Sequence, residues 1–365
     1  VRSSAQLTAS TAVDWQLAGR VGARLARPAP PASDYTRRQV IDDLRQASRA
    51  AEDPVREVTG LPATAFASDT RIVDRRQWIA AASDSMRVMI GGAEVGGVNS
   101  RSAVSNRAVS NRAVSSRIAG AQTGAVLAFV SSGILGQYDP FADGESGCLL
   151  LVYPNVIAVE RQLQVPPRDF RLWVCLHEVT HRVQFTANPW LSQHMSRAIG
   201  TLTAEGGAAG ADLGAVAGRL AEFVRYRRDP DTEPNNTGVL GLLRAVQSEP
   251  QREALDRLLV LGTLLEGHAD HVMDAVGPKV VPSVHLIRRR FNERRQRSQP
   301  PLQRLLRALL GVDAKLSQYT RGKAFVDHVV ARVGMDRFNT VWTGPATLPL
   351  PDEIQNPQRW IDRVL

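Results

Sequence analysis

A chain of 365 residues with 43% hydrophobic and 22% charged side chains has ordinary globular proportions and can bury a substantial core without staples. The formal charge of +9, from 45 basic and 36 acidic residues, is almost all arginine, with lysine only at Lys279, Lys315 and Lys323, so the excess alone specifies no nucleic-acid role. Two cysteines, Cys148 and Cys175, exclude a disulfide framework and fit a reduced, cytoplasmic protein, and the opening residues hold no continuous apolar stretch of the secretory kind.

Residues 12–84 read as helices broken at Pro28-Ala29-Pro30-Pro31 and Leu61-Pro62, with Val40, Ile41 and Leu44 on one amphipathic face. They form most of a helical N-terminal region over 1–95. A short repeat then appears: Arg107-Ala108-Val109-Ser110-Asn111 is nearly copied by Arg112-Ala113-Val114-Ser115-Ser116. Its five-residue period matches neither helix nor strand, which predicts an insertion over 96–117, as a surface loop or an irregular helix extension. Residues 118–138 are uncharged but diluted by glycine, glutamine, serine and threonine, and so predict a buried core helix rather than a membrane span. The run Leu149-Leu150-Leu151-Val152-Tyr153 is the best strand, stopped by Pro154. At a sheet edge it would offer an extended peptide a pairing partner.

After Pro166-Pro167 an apolar run leads into His177-Glu178-Val179-Thr180-His181, with Asp169 as the expected N-cap and Asn188-Pro189 as the stop. Residues 200–251 are mixed, with a polar loop near 229–234. A second apolar-periodic helix spans about 251–276 and closes at Gly277-Pro278. Beyond it lies a basic helical region, with an arginine run over 288–297 that reads mainly as a solvated face. A proline-rich tail over 344–357 is expected to wrap a surface. The whole chain, 1–365, reads as one domain, with a metal-binding core over 118–277.

The chemistry is in the His-Glu-x-x-His run. On a helix, residues four apart lie about 40° apart around the axis and one turn along it, so His177 and His181 can face a single ion. Glu178 projects about 100° away and is free to act on water as general base. A catalytic zinc takes three protein ligands and leaves a fourth position to water. No histidine follows at short spacing, since His194 lies beyond Asn188-Pro189-Trp190. Glu266 is the favoured third ligand. Asp270, four residues on, would accept the outer N–H of a ligating imidazole. Gly262 and Gly267 would let this helix approach the first one closely. Glu205 is the competing ligand. A donor to the oxyanion is expected from among His271, Tyr319, His285 and Arg182.

The Glu-x-x-x-Asp pair at Glu266 and Asp270 resembles the second motif of the gluzincin metallopeptidases, typified by thermolysin. Over most of its length the chain is more similar to a zincin-like metallopeptidase family of actinobacteria, linked by its usual label to biosynthesis of a deazaflavin coenzyme. The shared segments include Val13-Asp14-Trp15, Thr59-Gly60-Leu61, Val73-Asp74-Arg75, Leu135-Gly136-Gln137-Tyr138-Asp139-Pro140-Phe141, residues 173–185 and 265–274, and the tail from Gln318-Tyr319 to Trp360. The gap of more than 80 residues between His181 and Glu266 departs from the thermolysin pattern. The resemblance implies an α+β, predominantly helical fold: a zincin-like core with a small sheet and extra N- and C-terminal helices. It implies a zinc-dependent peptidase or related amide hydrolase acting on a peptide or protein; composition, independently, argues against a nucleic-acid partner and a membrane span. Oligomeric state stays open. Two other readings also stay open: a catalytically silent scaffold of the same fold, and a basic interaction protein working through the arginine run.

Overall fold

The computed structural model describes residues 13–62, 69–94, 106–142, 147–204, 249–297 and 312–365. Helices α1 (Trp15–Leu25), α2 (Asp34–Ala50) and α3 (Glu52–Thr59) open the chain. Asp14 and Ser33 cap the first two through side-chain oxygens, and Gly60 ends the third in the left-handed conformation. Strand β1 (Asp69–Val73), helices α4 (Arg75–Glu94) and α5 (Asn106–Val130), and strands β2 (Gly136–Asp139) and β3 (Cys148–Val152) follow. Then come α6 (Tyr153–Leu163), α7 (Pro167–Ala187), α8 (Trp190–Ala204), α9 (Glu249–Val280), α10 (Val284–Arg297), α11 (Val312–Val333), the short α12 (Met335–Phe338) and α13 (Pro357–Val364). The fold is mostly helical with a small three-stranded sheet, as the resemblance implied.

The sheet has the order β1-β3-β2, with β1 parallel and β2 antiparallel to β3. The Leu-rich strand is therefore central, not an edge. Its sequence shows why: Leu149 and Leu151 enter the main core, while Cys148, Leu150 and Val152 enter a second one under α4 and α5. A strand buried on both faces reads as a continuous apolar run. The edge on the other side of it is β2, which the expected helix over 118–138 had absorbed. That helix stops at Val130, and it is not fully buried: Ile118 and Val126 are exposed. The repeat, from Asn106 onward, forms the first half of α5, as a helix extension. Strand β1 likewise falls inside a stretch read as helical.

The proline-rich tail does not merely wrap the surface: its Leu348 and Ile354 enter the main core, and the helix after it is anchored there too. Trp360 is fully buried, against Phe325 and Phe338, and donates from Nε1 to Thr347 O at 2.8 Å. No described helix is long and apolar enough to cross a membrane.

Candidate metal centre

Helix α7 starts at Pro167, with proline in the first turn where its missing N–H is no loss. Asp169 is therefore not the cap. It sits inside the first turn and accepts from Ser283 N and Oγ, tying α7 to the start of α10. The middle of α7 is buried on nearly every side, from Phe170 through Phe185, and the side chains of His177 and His181 reach its one partly open strip.

There the two imidazoles meet a carboxylate from α9. His177 Nε2 and His181 Nε2 lie 3.1 Å apart, and Glu266 Oε2 and Oε1 stand 3.4 Å and 3.3 Å from them. Zinc bonds of about 2.0–2.1 Å in a tetrahedron separate neighbouring ligand atoms by about 3.3 Å, so this triangle matches a zinc's three protein ligands. Among the described residues, no other cluster of histidine, cysteine and acidic side chains has such spacing. Glu205 and the side chain of Tyr319 lie outside the described residues.

Charge follows the geometry. Burial works against a charged His177, but Glu266, Glu178 and Asp270 outweigh it and hold the imidazole up at about 9. Burial would likewise raise Glu266, yet the two imidazoles keep it well below the usual carboxylate range. Glu178 differs. It is 7% exposed, and burial, only partly opposed by the histidines, pushes its carboxyl up. A carboxyl raised in this way is suited to hold a proton and release it.

The outer nitrogens of the two imidazoles have partners that the sequence did not announce. Leu265 O can only accept, so Gln184 Nε2, 3.0 Å from it, donates, and Gln184 Oε1 faces His181 Nδ1 at 2.9 Å. That carbonyl holds the proton on Nδ1 and leaves the Nε2 lone pair toward the ion site. Gln184 Nε2 also donates to His268 Nδ1 at 2.9 Å. His268 is fully buried, stacked on Phe338, and pushed down to about 3 chiefly by burial, so it stays neutral. His177 Nδ1 faces Met273 Sδ at 3.2 Å.

Asp270 thus takes no imidazole. Its Oδ1 accepts from Arg288 Nη1 at 3.0 Å, and Arg288 also binds Asp274 and lies over the Trp173 ring. The arginine run is accordingly not one solvated face: its first member turns inward, while Arg289 and Arg290 are exposed. The suggested oxyanion donors go elsewhere too. His271 pairs with Asp327 at 2.7 Å, because five residues from Glu266 it points to another side of α9. Arg182 pairs with Glu52, and His285 is exposed at the start of α10. Gly267 does bring helices together, but the partner is α11: a Cβ there would lie 2.2 Å from the Gly322 carbonyl carbon.

A cleft of about 740 Å³ opens at the centre, with α7 as floor, α4 and α9 as walls and β2 along one side. Gly136 of β2 lies directly on Glu178: a Cβ there would come within 2.6 Å of its Cγ. The model for zincin-like metallopeptidases matches residues 13–361. The chain belongs to that family. A crystal structure from Chloroflexus aurantiacus, described provisionally as a hydrolase with a novel fold, is 28% identical to this zincin-like chain. It superimposes with a TM-score of 0.62, covering 96% of this chain and 98% of that one. No curated protein matches.

Gln184 was findable in the sequence of this family member, since three residues after His181 is the same helix face. So was Met273, seven residues after Glu266. Gly136 and Arg288 carry no such local signal.

Proposed function

We propose that this protein is a zinc-dependent peptidase, or a closely related amide hydrolase. One observation carries the reading: His177, His181 and Glu266 converge at zinc-ligand spacing with Glu178 buried beside them in a cleft. Zinc bound there would lower the pKa of water towards about 7 and polarise a carbonyl.

The chain's own residues account for the rest. Glu178 takes a proton from the attacking water onto its carboxylate and passes it to the leaving amine. Gln184 keeps His181 in the ligating tautomer. The β2 backbone, at the sheet edge above Glu178, offers an extended peptide N–H and C=O groups, which positions the bond to be cut. Two buried, unpaired cysteines accord with a reducing, cytoplasmic setting. The inward turn of Arg288 weighs against a basic interaction protein built on that run.

The test is elemental analysis of protein purified without added zinc, followed by peptide hydrolysis. The expected result is about one zinc per chain, lost in His177→Ala, with Glu178→Gln keeping the metal and losing turnover. No metal after zinc is offered, or undiminished turnover in Glu178→Gln, overturns the reading.

A further inference from the structure

Four of the chain's five methionines, Met86, Met89, Met195 and Met273, line the cleft that holds the metal centre. They come from three helices, α4, α8 and α9, so no local run of sequence gathers them. The fifth, Met335 on α12, is not among the residues that line it. Met273 belongs to the main core, and Met195 and Met86 pack against the main and second cores, yet each also faces the cleft. Met86, Met89 and Met195 are also only partly buried, at the cleft wall rather than beneath it.

A thioether side chain is unbranched, polarizable and free to turn about three bonds, so a wall of them conforms to apolar groups of different shape. Trp173 and Phe291, in edge contact at 5.2 Å, add flat apolar faces to the same cleft. The charges along it have one sign apart from the two histidines. Asp139, Glu178, Glu266 and Asp270 line it, and no lysine or arginine does among the described residues. Arg288, the nearest cation of the arginine run, is held by Asp270 and Asp274. A substrate carboxylate entering this wall would lose water and gain no partner.

We propose that the methionine wall is a specificity pocket for bulky apolar side chains of an internal peptide segment, tolerant of their shape and closed to acidic ones. The inference rests on the peptidase reading and adds the substrate class.

The test uses quenched-fluorescence peptides varied at the residue on each side of the scissile bond among Phe, Leu, Met and Glu, with kcat/KM for the wild type and Met89→Arg. For at least one of those positions, the Phe, Leu and Met peptides should fall within about tenfold of one another and the Glu peptide at least about 100-fold below them. Met89→Arg should narrow that gap by about tenfold, raising Glu and lowering Phe. A Glu peptide cut as well as Phe on both sides, or a gap that Met89→Arg leaves unchanged, overturns the pocket. Anisotropy of the same peptides on zinc-loaded Glu178→Gln separates the two ideas. Apolar-selective binding that Met89→Arg shifts, without cleavage by the wild type, supports the pocket and sinks the peptidase reading. Cleavage without preference sinks the pocket alone, and no saturable binding of any peptide overturns it.

Discussion

The two faces of α9 are built differently. Toward the cleft it presents Glu266, Asp270 and Met273, one turn apart, with open space at Gly262. Toward the interior it is locked. Gly267 and Gly322 let α9 and α11 cross with backbone nearly touching backbone, His268 stacks on Phe338 and meets Trp342 edge-on, and Gln184 Nε2 clasps Leu265 O. The contrast shows where precision is supplied. In the proposed centre, ligand atoms must sit within a few tenths of an ångström of their places, and a fixed back face would hold Glu266 there while the front stays open.

The largest effect should come from the front. Glu266→Ala removes the only carboxylate in the ligand triangle and should weaken zinc affinity by at least about 100-fold, read by competition with a chromogenic chelator. The same change at Glu205 should leave affinity intact. The reverse order would hand the ligand role to Glu205.

Next is the neighbour that touches Glu178, the proposed base. Gly136→Ala forces its new methyl against Glu178, and an ångström of misplacement can cost about 100-fold in turnover. Zinc content should not change. If both fall together, the strand is supporting the ligands and not the base.

The contrast between the faces is sharpened by two alanines on one helix. Gly267→Ala must push α9 off α11 and should cost about 1–3 kcal/mol. Gly262→Ala meets nothing within 4 Å and trades a poor helix former for the best one, so it should be neutral or stabilise by up to about 1 kcal/mol. Equal effects in thermal unfolding would remove the asymmetry.

The parts of this design that the sequence showed are those encoded at helical spacing. His177, Glu178 and His181 lie on one helix, and the stop at Gly277 is a left-handed glycine inside the α9 span, as its place before Pro278 suggested. Glu266 stood out as a carboxylate in a leucine-rich stretch. What pairs across the chain was hidden. Nothing near Asp270 says that Arg288, eighteen residues on, competes for it and wins. Nothing near Gly267 says that the close partner is Gly322 and not α7. Strands β1 and β2 have five and four residues, so neither had room to show a period of its own, and β1 finds its partner β3 far along the chain.

The smallest expected effect concerns the tail, whose lock is electrostatic. Arg363 grips Glu353 with two bonds of 2.7 Å and 2.8 Å while donating to Ala346 O and Leu348 O, which fixes α13 and the fully buried Trp360 in place. Burial would raise the Glu353 carboxyl, but Arg363 and the Leu350 N–H outweigh it and the net shift is downward. A carboxylate lowered on folding contributes stability that is present above its unfolded value, about 4.3, and is lost as pH falls through the folded value. Glu353→Gln should therefore lower Tm by about 2–4 °C at pH 7, with the gap to wild type shrinking below about pH 4 as the wild-type carboxyl takes its proton. The same gap at pH 3 as at pH 7 would mean that the side chain's shape, and not its charge, holds the tail.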